Sequence, residues 1–222
     1  AKGMIARGHR VSVVSSGGAL VESLCQAGAT HHPLPVDRKS PASIAAMIPA
    51  VARLIRQTGV DVVHARSRVP AWIGWLAARG TQTPFLTTCH GFYAPHPASR
   101  VMTWGRSVIV PSKALGRYLM DRFHVPPERL RVIPRGVDLS AFPLRRPRAP
   151  EETGWQLGLI GRPSPLKGHE VAIRALHQLI GHGLPVRLVL VGAATESAAR
   201  LRARLDQLAK ELEVGHFIDW LP

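Results

Sequence analysis

The chain has 222 residues, 45% of them hydrophobic, so it can fold around one large core or two small ones. No apolar run in it approaches the length of a membrane-spanning helix, and Cys25 and Cys89 stand too far apart for a CxxC or Cys/His ligand pattern, so neither a disulfide framework nor a zinc site is indicated. The formal net charge of +15 is unevenly placed: residues 1–150 hold 21 Lys and Arg against 6 Asp and Glu, whereas residues 151–222 hold 8 of each.

In chain order, AKGMIARGHR reads as a helix rather than a secretory leader. Short Val/Ile/Leu-rich runs then alternate with helical stretches. The strand candidates are Val11–Ser15, His31–Leu34, Val60–His64, Phe85–Thr88, Ser107–Pro111 and Leu130–Ile133, followed by Trp155–Ile160, Val186–Val191 and His216–Ile218. The helix candidates are Leu20–Ala27, Pro41–Gln57, Pro70–Arg79, Lys113–Phe123, His169–Ile180 and Glu196–Glu213. Ser40 before Pro41 reads as an N-cap with a first-turn proline, and Ser112 reads as the cap of the helix after it. Strand–helix alternation predicts doubly wound parallel sheets, which bind ligands at the carboxyl ends of their strands. The proline- and arginine-rich stretch 139–154 reads as a linker between a first domain, 1–138, and a second, 155–222. Both domains look incomplete, and the chain reads as an internal fragment of a longer protein.

The chemistry gathers at expected strand ends. GLIGRPSPLKGHE, Gly158–Glu170, is a strand, a turn holding Arg162 and Lys167, and a helix start. Free amides and the positive dipole end of a helix suit phosphate oxygens, and two fixed cations suit a diphosphate. The competing reading is an ordinary βα turn with surface charges. In the first domain, His64, Arg66 and Arg68 follow one strand, His90 and Gly91 another, and Arg135 and Gly136 a third. Gly136 suits a positive φ or a close approach to a ligand. The basic excess favours an anionic partner, such as nucleic acid, an anionic membrane surface or an acidic ligand. An arginine-rich surface with no such partner is the alternative. Aromatic residues make up only 5% and no nucleic-acid-reading motif occurs, which argues against nucleic acid.

Taken in order, HARSR with PAW, TTCHGFY, VIVPS, RVIPRGVD and GRPSPLKGHE resemble the glycosyltransferase group 1 family, of family 4 type. The resemblance runs along nearly the whole chain, and its HARSR/PAW version is similar to enzymes of lipopolysaccharide-core and cell-envelope assembly. It implies an α/β fold of GT-B type, with two Rossmann-like domains, and a retaining enzyme. Such an enzyme moves a sugar from a nucleotide diphosphate sugar (UDP-, GDP- or ADP-linked) to a glycolipid or saccharide acceptor, with no metal and no other cofactor. Arg162 and Lys167 match the pair that holds the donor diphosphate and stabilises the departing nucleotide. Gly161 matches the glycine that lets backbone approach the phosphates, and His90 the histidine near the transferred sugar. His64, Arg66, Arg68, Gly91, Arg135 and Glu170 are candidate acceptor or sugar contacts. Arg135 stands where many relatives carry Asn, and Glu170 equally suits a first-turn carboxylate. The family's opening glycine-rich loop and its glutamate pair are not found in this sequence. The expected setting is cytoplasmic, with peripheral contact to the inner membrane surface. A non-catalytic fragment, a related GT-B epimerase or phosphorylase, and a basic nucleic-acid binder are the rival readings.

Overall fold

The apolar runs become short parallel strands. The computed structural model describes residues 1–144, 154–192 and 196–221. Residues 145–153 of the expected linker, with Arg145, Arg146 and Arg148, therefore lie outside the described residues. The chain divides into two units, Ala1–Asp138 and Leu139–Pro222.

The first unit runs α1 (Lys2–Ile5), β1 (Ser12–Ser15), α2 (Val21–Gln26), β2 (Thr30–Pro33), α3 (Pro41–Thr58), β3 (Val63–Ala65) and α4 (Arg68–Thr81). It continues with β4 (Phe85–Thr88), α5 (Pro97–Arg100), β5 (Ser107–Val110), α6 (Lys113–Phe123) and β6 (Leu130–Val132). All its strand pairs are parallel. They form two sheets: β1 pairs only with β2, and β3-β4-β5-β6 lie side by side in chain order. The two sheets share a core without sharing a ladder. Val14 of β1 and Val63 of β3 pack on the same cluster, built from Val51 and Ile55 of α3 and Ile73 and Ala77 of α4. A second cluster sets Val108 and Val110 of β5 against Leu115 and Leu119 of α6 and Ala71 and Ala78 of α4.

Capping chemistry fixes two of these helices where the sequence placed them. The Ser40 hydroxyl accepts from the Ser43 amide at 3.2 Å, and the Ser112 hydroxyl from Leu115 at 3.2 Å. Helix α4 starts at Arg68, not Pro70, because Ser67 is still extended and helical geometry begins directly after it. Arg68 is thus a first-turn helix residue and not part of the strand-end loop.

The second unit holds β7 (Trp155–Ile160), α7 (His169–Gly181), β8 (Val186–Val191), α8 (Glu196–Glu211) and β9 (Ile218–Leu221), with parallel order β7-β8-β9. Its core joins Ile173 and Leu176 of α7 to Val186, Leu188 and Leu190 of β8 and Leu205 of α8. The expected strand His216–Ile218 is displaced. Gly215–Phe217 forms a 3-10 turn, closed by the Phe217 amide on the Val214 carbonyl at 3.0 Å, and the strand follows it.

The carboxyl ends of β7 and β8 approach so closely that a side chain is excluded. A Cβ on Gly192 would sit 2.3 Å from the Gly161 carbonyl oxygen and 3.1 Å from the Arg162 nitrogen. Gly192→Ala is therefore expected to part the two strand ends and to lower the stability of the second unit by about 1–3 kcal/mol. Urea unfolding followed by Trp155 and Trp220 fluorescence reads this directly, and an unchanged midpoint would show that the ends can separate freely.

Candidate active site

Each unit gathers its candidate residues at the carboxyl ends of its strands. In the second unit, β7 ends at Ile160, and the Gly161 amide donates to the Val191 carbonyl at 2.8 Å. Exposed Arg162 follows. Pro165–Lys167 makes one 3-10 turn, and Gly168 takes φ +74°, a left-handed conformation that suits glycine, before α7 begins. Lys167 therefore sits on the turn directly before α7. No side chain caps α7, so the dipole end of a 13-residue helix lies beside two exposed cations. The Lys167 stem lies over Gly161, and a Cβ there would touch its Cδ at 3.4 Å, an ordinary van der Waals contact.

The turn is braced from below by a residue that the sequence reading passed over. His169 is only 2% exposed, and its Nε2 donates to the Gly161 carbonyl at 3.2 Å. That assignment leaves Nδ1 bare, and Nδ1 is buried with no partner among the described residues. The ring lies parallel to Trp220, 6.2 Å away, and the Arg202 guanidinium covers the indole at 3.5 Å. The available signals were a histidine directly after Lys-Gly and a glycine, Gly192, directly after an apolar run.

Glu170 belongs to a different group. Its carboxylate pairs with Arg174, one turn along α7, at 2.9 Å and with Arg204 of α8 at 3.7 Å. The Arg174 hydrogen bond holds its carboxyl below the usual range. This is an exposed surface network.

In the first unit the structure brings His64, Arg66, His90 and Arg135 into one cluster. His64 Nε2 meets the Thr88 hydroxyl at 2.7 Å, tying β3 to β4. Arg66, one residue past β3, donates from Nε to His90 Nε2 at 3.2 Å. Arg135, beyond β6, places an Nη 3.3 Å from His90 Nδ1. A neutral imidazole has one bare nitrogen and a guanidinium can only donate, so the ring accepts from one arginine while the other lies against its N–H. Loss of solvent, then Arg66, then Arg135 all push the His90 pKa down. His64 is lowered in the same sense by loss of solvent, Arg66 and His90.

Arg68 stands apart from that cluster, with its guanidinium 5.5 Å from the centroid of the Tyr93 ring. Gly91 leaves its surroundings open, and nothing lies within 4 Å of the Cβ it lacks. Gly136 has equally open surroundings, but its φ is not in the left-handed region that the sequence reading allowed for. Cys89 is buried and its thiol is pushed up to about 12, so it is not a nucleophile at neutral pH. Among the described residues, no group of three or more His, Cys, Asp and Glu side chains is placed to hold a metal ion, and no helix is long and apolar enough to cross a membrane.

The family model for Glycosyltransferase Family 4 matches residues 1–141, and the model for Family 4 Glycosyltransferase in conflict systems matches residues 113–217. The D-inositol 3-phosphate glycosyltransferase of Acidothermus cellulolyticus is 28% identical, over 86% of this chain and 49% of that protein. The chain spans about half the length of the curated relatives it matches. A crystal structure of a glycosyltransferase from Rickettsia africae superposes with a TM-score of 0.82 at 27% identity, over 100% of this chain and 62% of that one. Anabaena HepE, crystallised with UDP and glucose, superposes at 0.76 and 20% identity, over 98% of this chain and 63% of that one, a likeness of fold alone. These neighbours bear out the expected α/β, GT-B architecture.

His90 is expected to titrate below the ordinary imidazole range, and Arg66→Gln is expected to raise its midpoint by removing one of the two flanking charges. Because the folded protein holds fewer protons on His64 and His90 than the unfolded chain does, stability falls as pH drops from neutral through that range. NMR titration of the histidine Cε1 protons checks the first point, and urea midpoints against pH check the second. A His90 midpoint unmoved by Arg66→Gln would contradict the assignment.

Proposed function

The chain belongs to Glycosyltransferase Family 4, and on that footing we propose that it carries the reaction centre of a retaining glycosyltransferase. The enzyme moves a sugar from a nucleotide diphosphate sugar to a glycolipid or saccharide acceptor in cell-envelope synthesis. The second unit takes the donor and the first takes the acceptor. One observation supports the donor assignment above the others: exposed Arg162 and Lys167 share a turn that leads into an uncapped helix end.

Three sources of positive potential thus converge on one turn: a guanidinium fork, an ammonium and a helix dipole. Together they suit the four charge-bearing oxygens of a diphosphate. Bond breaking at the sugar leaves the electron pair on the nucleotide diphosphate, whose negative charge grows in the transition state. Cations fixed before the reaction stabilise that charge with no metal in the step. His169 holds the Gly161 carbonyl and so acts as a positioning residue. His90 serves the transferred sugar as a neutral imidazole held between Arg66 and Arg135.

The charge asymmetry supports an acidic acceptor or an anionic inner-membrane surface for the first unit. The relatives' name, D-inositol 3-phosphate glycosyltransferase, supports an acceptor that carries phosphate. UDP, GDP and ADP donors are all compatible with a site built around the diphosphate.

The test is transfer of radiolabelled sugar from UDP-glucose, GDP-mannose or ADP-heptose to saccharide and glycolipid acceptors. Arg162→Ala and Lys167→Ala are each expected to lower kcat by about 100- to 1000-fold, the loss typical of a removed transition-state charge contact. Wild-type transfer that survives both substitutions would contradict the assignment.

A further inference from the structure

The arginines of the first unit are used in three different ways. Arg129 donates to the Thr103 carbonyl at 2.6 Å and also to the Gly105 carbonyl, and Arg131 donates to the carbonyls of Glu128 and Leu130 at 2.6 and 2.8 Å. These side chains fasten loops. Arg68 lies on an aromatic ring. In the second unit, Arg174, Arg187 and Arg202 each meet a carboxylate. Arg66 and Arg135 do none of these things: both are exposed, and the hydrogen bonds they make among the described residues end on a single histidine, one on each ring nitrogen. They reach it from different strand ends, 24 and 45 residues away in sequence.

Two cations brought edge-on to one imidazole repel each other, and the ring cannot offset that repulsion because it accepts from only one of them. An anion between them would. Each guanidinium has five N–H donors and at most one of them is spent on His90, so the forks have donors to spare for an oxyanion. A phosphate monoester, with close to two negative charges and three terminal oxygens, matches two guanidiniums and an imidazole N–H in charge and in donor count.

We infer that Arg66, His90 and Arg135 form the receiving site for a phosphate monoester carried by the acceptor. This inference rests on the reading of the first unit as the acceptor side. Phosphate could reach the same trio from the donor diphosphate, and the experiment separates the two sources.

The 222-residue chain is titrated by NMR with glucose 6-phosphate, with glucose as the control lacking phosphate, and with UDP. The His90 Cε1 signal is assigned through His90→Gln. Glucose 6-phosphate is expected to move that signal and to raise the His90 titration midpoint by about half a unit or more, because the bound dianion offsets both guanidiniums. Glucose is expected to leave it in place. Arg66→Gln and Arg135→Gln are each expected to weaken glucose 6-phosphate binding by about tenfold, the loss of one charge-assisted contact. A His90 signal unmoved by glucose 6-phosphate overturns the inference. A signal moved by UDP but not by glucose 6-phosphate overturns it in favour of the donor phosphates. A glucose 6-phosphate response that persists in a chain inactive in sugar transfer leaves the anion site standing and removes the catalytic reading alone.

Discussion

The contact on which the second unit depends is the one between two backbones, at Gly161 and Gly192. Strand ends in a parallel sheet normally diverge into their loops with side chains between them. Here Gly192 carries none, and a Cβ would reach within 2.3 Å of the Gly161 carbonyl oxygen. That carbonyl in turn receives the buried imidazole of His169, and the lysine stem lies over Gly161 from the other direction. Arg162 and Lys167 are exposed, yet the turn that carries them is fixed by a glycine pair below and a packed histidine beside it. Long cationic side chains lose much rotamer freedom when they hold a ligand. A rigid turn confines that cost to the side chains themselves.

The two units use the same residue type to opposite ends. In the second, arginines are neutralised by carboxylates along α7 and α8 and across β8 and β9. These exposed pairs contribute little stability each. In the first, with its large basic excess, some arginines close loops onto backbone carbonyls while Arg66 and Arg135 converge on His90. Net charge alone therefore overstates the anion-binding surface, because part of the excess is structural. Arg66 and Arg135 stand beyond the carboxyl ends of β3 and β6, where open α/β sheets bind ligands.

Much of this was legible in the residues. Phe85–Thr88, Trp155–Ile160, Val186–Val191 and Lys113–Phe123 have the bounds read from the sequence, because each is a clean apolar or periodic run ended by Gly, Pro or a capping serine. Errors arose where local signals overlap. The run His216–Leu221 is apolar enough to be strand throughout, but a 3-10 turn at Gly215–Phe217 takes its first part. The first unit's strands divide into two sheets, and the missing ladder between β1 and β3 leaves no trace in local pattern. The candidate residues themselves were named from their strand-end positions. Their partnerships were not, because the meeting of His90 with Arg135 across 45 residues is set by strand order. Thr88, His169 and Gly192 were missed for a related reason: each acts by what it touches, and a lone threonine, histidine or glycine has no signature of its own.

The central claim is that the turn from Gly161 to Gly168 holds a diphosphate. Isothermal titration of the chain with UDP, UMP and uridine tests it most directly, since the three ligands differ only in phosphate. The account predicts that UDP binds at least about tenfold more tightly than UMP, because the second phosphate adds charge-assisted contacts worth about 1.5–3 kcal/mol each. Equal affinity for UDP and UMP would contradict it, since binding would then owe nothing to the diphosphate.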